Sequence, residues 1–484
     1  MKINESYKEK LKNWYESYKP ILKNWLYGIA FYLIPFIIGY LAFSFVLSDN
    51  ILHTDVDSAR YMLSALIQSE AAIVALVVTL SLVAVQLAAQ SYSARVIEVF
   101  RKAPDLWILM GIYGIAIFYG LGVLKMIENP QVGRLSNLEG QIAFSYYLGV
   151  FAFVALVPYM WKMFEMLKPS TVINMLAIKI TKQNILSAIG EETIDKKFLP
   201  IIDVENDPIL PVIDIVRSAL MKYDYETVKD GLRAIGESTV YIFENETIKN
   251  NEDEKISKYL FDHLTRVGRL AASKKDEEST FEVTINICKI GIIAAKLKLP
   301  DSTWHAAESL GLVGMVAAEQ KLINAIRWIT FSLEKVGIAA TEQNLEATWV
   351  AEALGWIGEV TAQQKLKNAT VDAVKTLEKV GKIAAKQKLE YTTNISIKSL
   401  EKIGMTSGEQ GLDYVISKAS SALVEVGKAA HAQKFEDDVV TQKVVDVLNE
   451  FIKISDERKY KWAKKDTEDY LKNYLKKINE EKPI

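Results

Sequence analysis

The sequence predicts an all-α protein in which four transmembrane helices precede a cytosolic α-solenoid of about 23-residue repeats. Three observations carry that prediction. Four windows of 19 to 25 residues contain no charged side chain, lysine and arginine gather on one side of those windows, and one glycine recurs at a fixed spacing through the second half of the chain. A length of 484 residues, with 50 % hydrophobic and 24 % charged side chains, suits a membrane part joined to a soluble part.

The first segment, residues 1–24, sets Tyr7, Leu11, Trp14, Tyr15, Tyr18 and Leu22 at helical spacing among lysines. It reads as an amphipathic helix lying at the cytoplasmic interface, or equally as one packed on the cytosolic domain. Residues 25–166 form the four-helix transmembrane domain. Its charge-free windows are Asn24 to Ser48, Ala71 to Ala94, Leu106 to Leu124 and Gly140 to Trp161, each about the 20 residues that cross a bilayer core. The first is too long for a signal-peptide core and reads as a retained anchor, with Pro35 as a kink point.

Lys2, Lys8, Lys10, Lys12, Lys19, Lys23, Arg95, Arg101, Lys102, Lys162 and Lys168 flank one side of these windows, against Arg60, Lys125 and Arg134 on the other. The positive-inside rule therefore predicts a multi-pass protein of the cell membrane with both termini cytoplasmic.

The second span carries polar side chains. A helix turns about 100° per residue, so Gln68, Thr79, Gln86, Gln90 and Ser93 fall within about 60° of one another, with Ala72 and Ala75 completing the stripe. Polar groups are costly against hydrocarbon, so this face should look at protein or water. Glu70 lies about 170° from the centre of that stripe and shares its face with Val77, Ser81, Ala84 and Ala88. By its place in the sequence it sits near the outer boundary. The span thus offers two candidate pore faces: a neutral glutamine face, and a face on which a ring of carboxylates would prefer cations. Hydrogen bonding between helices of one subunit would also account for the stripe, and close packing for the alanines and serines.

Residues 167–255 read as a helical connector punctuated by Pro169, Pro200, Pro208 and Pro211, with Asp207 and Pro208 as N-cap and first position of a helix through Val212 to Leu220. Residues 256–452 are self-similar. Gly268, Gly291, Gly314, Gly337, Gly358, Gly381, Gly404 and Gly427 each follow Ile or Val and are 23 residues apart, except for one step of 21. Such a period marks a solenoid. One helix of about 17 residues plus a short connection fills the repeat, and the glycine lets neighbouring backbones approach. The other reading has each glycine end a short helix, giving a two-helix unit of HEAT type. The array resembles the HEAT-like repeats of prokaryotic proteins over about Leu260 to Phe435, on the strength of Ile/Val-Gly with Ala-Ala three residues on. That resemblance implies a binding surface and names no ligand. Residues 453–484 read as a charged C-terminal helix, an end cap or oligomer contact.

A formal charge of −2 leaves no basic field for nucleic acid. The single cysteine, Cys288, excludes an intrachain disulfide and reads as a small buried residue. Phosphate-loop, HExxH, GxSxG and CxxC patterns are missing, and His53, His263, His305 and His431 are scattered. Asp203, Glu205 and Asp207 fit a cation site less well than a loop capping the next helix. The chain is expected to be no enzyme and to hold no metal or cofactor.

The run Thr79 to Phe100 carries Val85, Gln86, Leu87 and Ala88, then Tyr92, Ser93 and Arg95. Over about Arg60 to Phe164 the chain resembles a widespread prokaryotic family of predicted membrane proteins with a domain of unknown function. Where that family usually has proline before the arginine, this chain has Ala94. The resemblance implies that the second span and its cytoplasmic exit form a unit, and it transfers no activity.

Four spans cannot easily enclose a pore alone, so the expected function is a homo-oligomeric ion channel regulated by its solenoid, with the second helix lining the pore. The alternative is a non-conducting membrane-anchored scaffold or sensor that holds a protein partner on the solenoid. A transporter ranks third, since neither further spans nor an inverted repeat is present. The expected partners are the lipid bilayer, other copies of the chain and that protein partner.

Overall fold

The computed structural model describes residues 26–44, 56–91, 104–127, 139–189, 207–433 and 439–480, without the side chains of 56, 88–91, 250, 251, 479 and 480. The expected interfacial helix of residues 1–24, the flanking charges Arg95, Arg101, Lys102 and Arg134, and Ser93, Asp203 and Glu205 lie outside the described residues. All 18 helices described are α-helices, and the chain divides into two units, Met1–Val172 and Ile173–Ile484.

In the first unit each charge-free window becomes a helix long and apolar enough to cross a membrane. These are α1 (Leu26–Ser44), α2 (Val56–Ser91), α3 (Pro104–Ile127) and α4 (Glu139–Met166). Helix α1 continues through Pro35. Helix α2 has 36 residues, about 54 Å at 1.5 Å per residue, so it takes in sequence that its charges assign to a loop. Half of the apolar window of α4 is buried within the unit, against 6 % for α1, which makes α4 the centre of the bundle and α1 a peripheral helix. Helix α1 is held to α4 by rings: Phe36 lies 5.2 Å from Tyr147 and 5.0 Å from Phe151, and the Tyr147 hydroxyl donates to the Phe36 carbonyl. Helix α2 packs along both α3 and α4.

The second unit contains α6 (Lys182–Ile189), α7 (Leu210–Met221), α8 (Tyr225–Asn245), α9 (Asn250–Ser273), α10 (Glu277–Lys296), α11 (Pro300–Glu319) and α12 (Ile323–Glu342). It continues with α13 (Thr348–Gln363), α14 (Lys367–Lys386), α15 (Glu390–Gln410), α16 (Asp413–Ala432), α17 (Val439–Glu457) and α18 (Lys461–Glu480). Helix α5 (Pro169–Ala177) falls on the division between the units. Each repeat is one helix, typically 20 residues, with the glycine inside it. The two-helix reading does not hold. From α9 to α18 each helix packs on its neighbour and on the next but one, so α9, α11, α13, α15 and α17 form one layer and α8, α10, α12, α14, α16 and α18 the other.

The recurring glycine is a notch, and the Ile or Val before it is the knob that fills the preceding notch in the same layer. A Cβ on Gly268 would meet Val313 at 2.6 Å, and the Cβ positions of Gly314 and Gly358 are taken by Ile357 and Ile403. In the other layer Gly291 receives Val336 at 3.1 Å, Gly337 receives Val380 at 3.2 Å and Gly381 receives Val426 at 3.0 Å. Each glycine costs about 1 kcal/mol of helix propensity, offset by close packing along the layer. The last notches are filled by rings: Phe451 of α17 sits on Gly404, and the Tyr474 hydroxyl on Gly427.

Two features shift the boundaries read from sequence. Residue 453 falls inside α17, and the charged tail forms α18, which buries Ala463, Tyr474 and Ile478 while its charges face outward. Ahead of residue 256, a left-handed residue already closes the turn from α7 to α8 at Tyr223 (φ 57°), as Lys275, Lys298, Lys321, Asn344, Lys365 and Lys388 do further on. Asp207 is a cap, displaced from the expected register. Helix α7 begins at Leu210 with Pro211 in its first turn, and the Asp207 carboxylate accepts the backbone N–H of Ile209 at 2.9 Å and of Leu210 at 2.8 Å. It also accepts the Tyr259 hydroxyl and lies 3.5 Å from His263 Nε2, an ion-pair distance rather than a hydrogen bond. Burial alone would raise its pKa, but His263, Tyr259 and the Leu210 N–H outweigh burial and hold it below the usual carboxylate value. Cys288 is half-buried with its Sγ 3.7 Å from the Ser332 carbonyl, and burial pushes its thiol pKa up, which makes it a poor nucleophile.

Candidate functional site

The two faces of α2 meet different surroundings, as the helical count requires. Glu70, Val77, Ser81 and Ala84 are buried against the other helices of the unit, and the side chain of Ala88 is outside the description. Gln68, Thr79 and Gln86 are exposed on the opposite side. Their bonds are local: Gln68 Nε2 donates to Ser64 Oγ at 3.2 Å, and Thr79 Oγ1 donates to the Ala75 carbonyl at 2.8 Å. For Gln68 and Thr79, hydrogen bonding between helices of one subunit is therefore not what the polar stripe serves. The side chain of Gln90 and all of Ser93 lie outside the description.

The buried face carries the chemistry. The Ser81 Oγ donates to the Val77 carbonyl at 2.7 Å and accepts the Tyr159 hydroxyl of α4 at 2.6 Å. One turn beyond, Lys162 Nζ pairs with Asp105 Oδ2 at 2.6 Å, tying the end of α4 to the start of α3. Ser81, Asp105, Tyr159 and Lys162, with Met163 and Met166, line a small cavity at this end of the bundle.

Glu70 lies further along. Only 1 % of it is exposed, and neither carboxyl oxygen has a hydrogen-bond partner among the described residues. Helix α4 makes room for it with Gly149, where an added Cβ would stand 2.6 Å from Glu70 Oε1 and 2.6 Å from Leu66. The phenol of Tyr113 on α3 is also buried without a hydrogen-bond partner, and it lies within electrostatic reach of Glu70. Within the bundle α2 extends fourteen residues before Glu70, to Val56, and the Glu70 carboxyl faces the middle of α4. Composition did not single out Tyr113, Gly149, Tyr159 or the Asp105–Lys162 pair. The legible signal was a lone glutamate on the same helical face as Ser81.

The fold and this interior define the class: a multi-pass helical membrane protein whose apolar bundle core holds a few buried polar groups, followed by a packed helical-repeat region. Residues 23–205 match the family described as "Predicted membrane protein (DUF2254)", a wider stretch than the sequence motif alone covers. No curated protein matches the chain. Among solved structures the chain is similar to one titled "DHF46 filament", at 15 % identity over 36 % of this chain and 99 % of that one, with a TM-score of 0.31. It is also similar to a "Circular tandem repeat protein with novel repeat topology and enhanced subunit contact surfaces", at 13 % identity over 88 % of this chain and 97 % of that one, with a TM-score of 0.30. Likenesses this distant carry no function across.

Proposed function

We propose that the protein is a homo-oligomeric ion channel of the cell membrane, with both termini cytoplasmic and the second helix turning its glutamine stripe toward a shared axis. One observation carries this reading. Gln68, Thr79 and Gln86 are exposed on the single chain, while the opposite face of the same helix is sealed by α3 and α4. Amide and hydroxyl groups left against hydrocarbon are costly, so the stripe calls for water or a second copy. A neutral lining of this kind gives weak ion selectivity, and the reading gives Glu70, Val77, Ser81, Ala84 and Ala88 no place in the pore. It assigns no catalytic role and no cofactor to the chain.

The test is flux of K⁺, Na⁺, Ca²⁺ and Cl⁻ through liposomes holding the purified full-length chain. Gln86→Leu is expected to suppress flux, because it removes a polar group from a wet path, whereas Ser81→Leu is expected to lower the thermal midpoint by disturbing the Tyr159 contact. Flux that survives both Gln86→Leu and Thr79→Leu would remove the stripe from the pore. A second reading, a membrane-anchored scaffold that binds a protein through its repeats, draws on Trp328 and Phe331 of α12, each 46 % exposed. A detergent-solubilised monomer without flux under any voltage, tension or Ca²⁺ condition would favour it.

A further inference from the structure

Glu70 is a carboxyl that the bundle encloses and leaves without a hydrogen bond. Asp105, also buried among the described residues of this unit, is in a different state, for Lys162 stands 2.6 Å away. The groups around Glu70 are few. Helix α3 brings the neutral phenol of Tyr113, and α4 brings Gly149, with the hydroxyl of buried Ser145 one turn away. On its own helix the nearest cation is Arg60, ten residues or about 15 Å distant, and its guanidinium donates to the Ile127 carbonyl at 3.2 Å. An ionised carboxylate cannot be held in such surroundings without a counter-charge, and at 1 % exposure this one is closed off from solvent by the packed helices. A metal ion is a poor occupant. Two carboxyl oxygens and one phenol fall short of the six or so oxygens that a hard cation takes, and no cluster of metal-ligating side chains occurs among the described residues.

We propose that Glu70 is a proton-binding site inside the membrane unit: its carboxyl is neutral while α2 is packed against Gly149, and loss of the proton loosens the contact between α2 and α4. The ligand is a proton and the switch is one contact. The Gly149 notch fits the neutral acid, since a carboxyl oxygen occupies the space where any larger residue would place its Cβ. The route to solvent is interrupted. The cavity at the Asp105–Lys162 end reaches Ser81 and Tyr159, but Ser81 lies eleven residues from Glu70, about 16 Å along the helix, with Val77 buried between them. Proton exchange therefore needs the α2–α4 contact to open, which couples proton binding to helix movement. The proposal stands whether or not the protein conducts ions.

The experiment uses the full chain in liposomes at pH 7, where an ordinary glutamate is roughly 99.8 % ionised. The infrared difference between wild type and Glu70→Gln is expected to contain the carbonyl stretch of a protonated carboxylic acid, and a difference holding only carboxylate bands would overturn the proposal. Dicyclohexylcarbodiimide provides a second measurement. The acid proton passes to a carbodiimide nitrogen as the carboxyl oxygen adds to the central carbon, and the resulting O-acylisourea rearranges to a stable N-acylurea at Glu70, read by peptide mass. The apolar reagent is expected to label Glu70 at pH 7 and a water-soluble carbodiimide is not, with yield falling about tenfold per pH unit once the site begins to release its proton. Equal labelling by both reagents would mean a solvated carboxyl and would sink the proposal. If Glu70→Gln fails to fold, the wild-type infrared titration decides alone: a protonated-acid band that survives at pH 7 and is lost on alkalinisation supports the site, and its absence at pH 7 refutes it.

Discussion

Gly404 and Phe451 show what a single residue decides in this protein. The Phe451 ring fills the space that a Gly404 Cβ would need and is almost fully buried, so it has nowhere to retreat. Gly404→Ala is expected to cost about 1 to 3 kcal/mol through overpacking, despite alanine's better helix propensity. Phe451→Leu should relieve that clash, so the double variant should lie at least about 0.5 kcal/mol above the sum of the two singles. Denaturant midpoints of the full chain in detergent would read this coupling, and strict additivity would show that the notch is not where the energy lies. The period of the glycines was legible in the sequence, but the partner of each was not, because the knob comes from a helix two elements away. Glu70 shows the converse: the helical count puts it on one face with Ser81, whereas its enclosure against Gly149 of α4 comes from helix packing that a charge-free window does not register.

The turns set the register of the elements. Where a helix ends in a left-handed residue, glycine or asparagine is usual, yet Lys275, Lys298, Lys321, Lys365, Lys388 and Lys459 adopt positive φ here, and among the described residues of the repeat turns only Asn344 and Gly411 follow the usual preference. The turn is closed by paired backbone bonds, as in Leu389 N–H to the Ala384 carbonyl at 2.9 Å and Lys388 N–H to the Ala385 carbonyl at 3.0 Å. Such a turn is invisible to a search for Gly, Asn or Pro, which is why the connections could be counted from the sequence but not typed. A left-handed conformation costs a non-glycine residue roughly 1 to 2 kcal/mol, and glycine gives back part of that through unfolded-state entropy. Lys388→Gly is therefore expected to raise stability by about 0.5 to 1 kcal/mol, and a fall in thermal midpoint would show that the lysine side chain itself holds the turn. The 21-residue step has an elemental cause too. Helix α13 has only 16 residues, and the connection before it is pinned when Glu346 accepts the Thr392 N–H at 3.0 Å and Thr392 Oγ1 accepts the Ala347 N–H at 2.9 Å.

For the whole molecule, the four membrane helices and the one-helix repeat were legible because both rest on long-range periodicity of side-chain type, which survives local irregularity. Their limits were less legible. The sequence boundaries at 256 and 453 fall inside α9 and α17, since packing extends a helix past the point where its repeat consensus fades. Orientation rests on the lysine and arginine excess, and labelling tests it directly. With Cys288 replaced by serine, single cysteines at Asn50 and Asn129 are expected to react with a membrane-impermeant maleimide on intact cells. A cysteine at Lys472, which is exposed on α18, should react only after permeabilisation; Ser455 is unsuitable because it is buried. Reaction at Lys472 on intact cells, with protection at Asn50 and Asn129, would invert the orientation. It would place the repeat unit outside, and the Asp105–Lys162 end of the bundle, with the cavity leading toward Ser81, would then face the external solution.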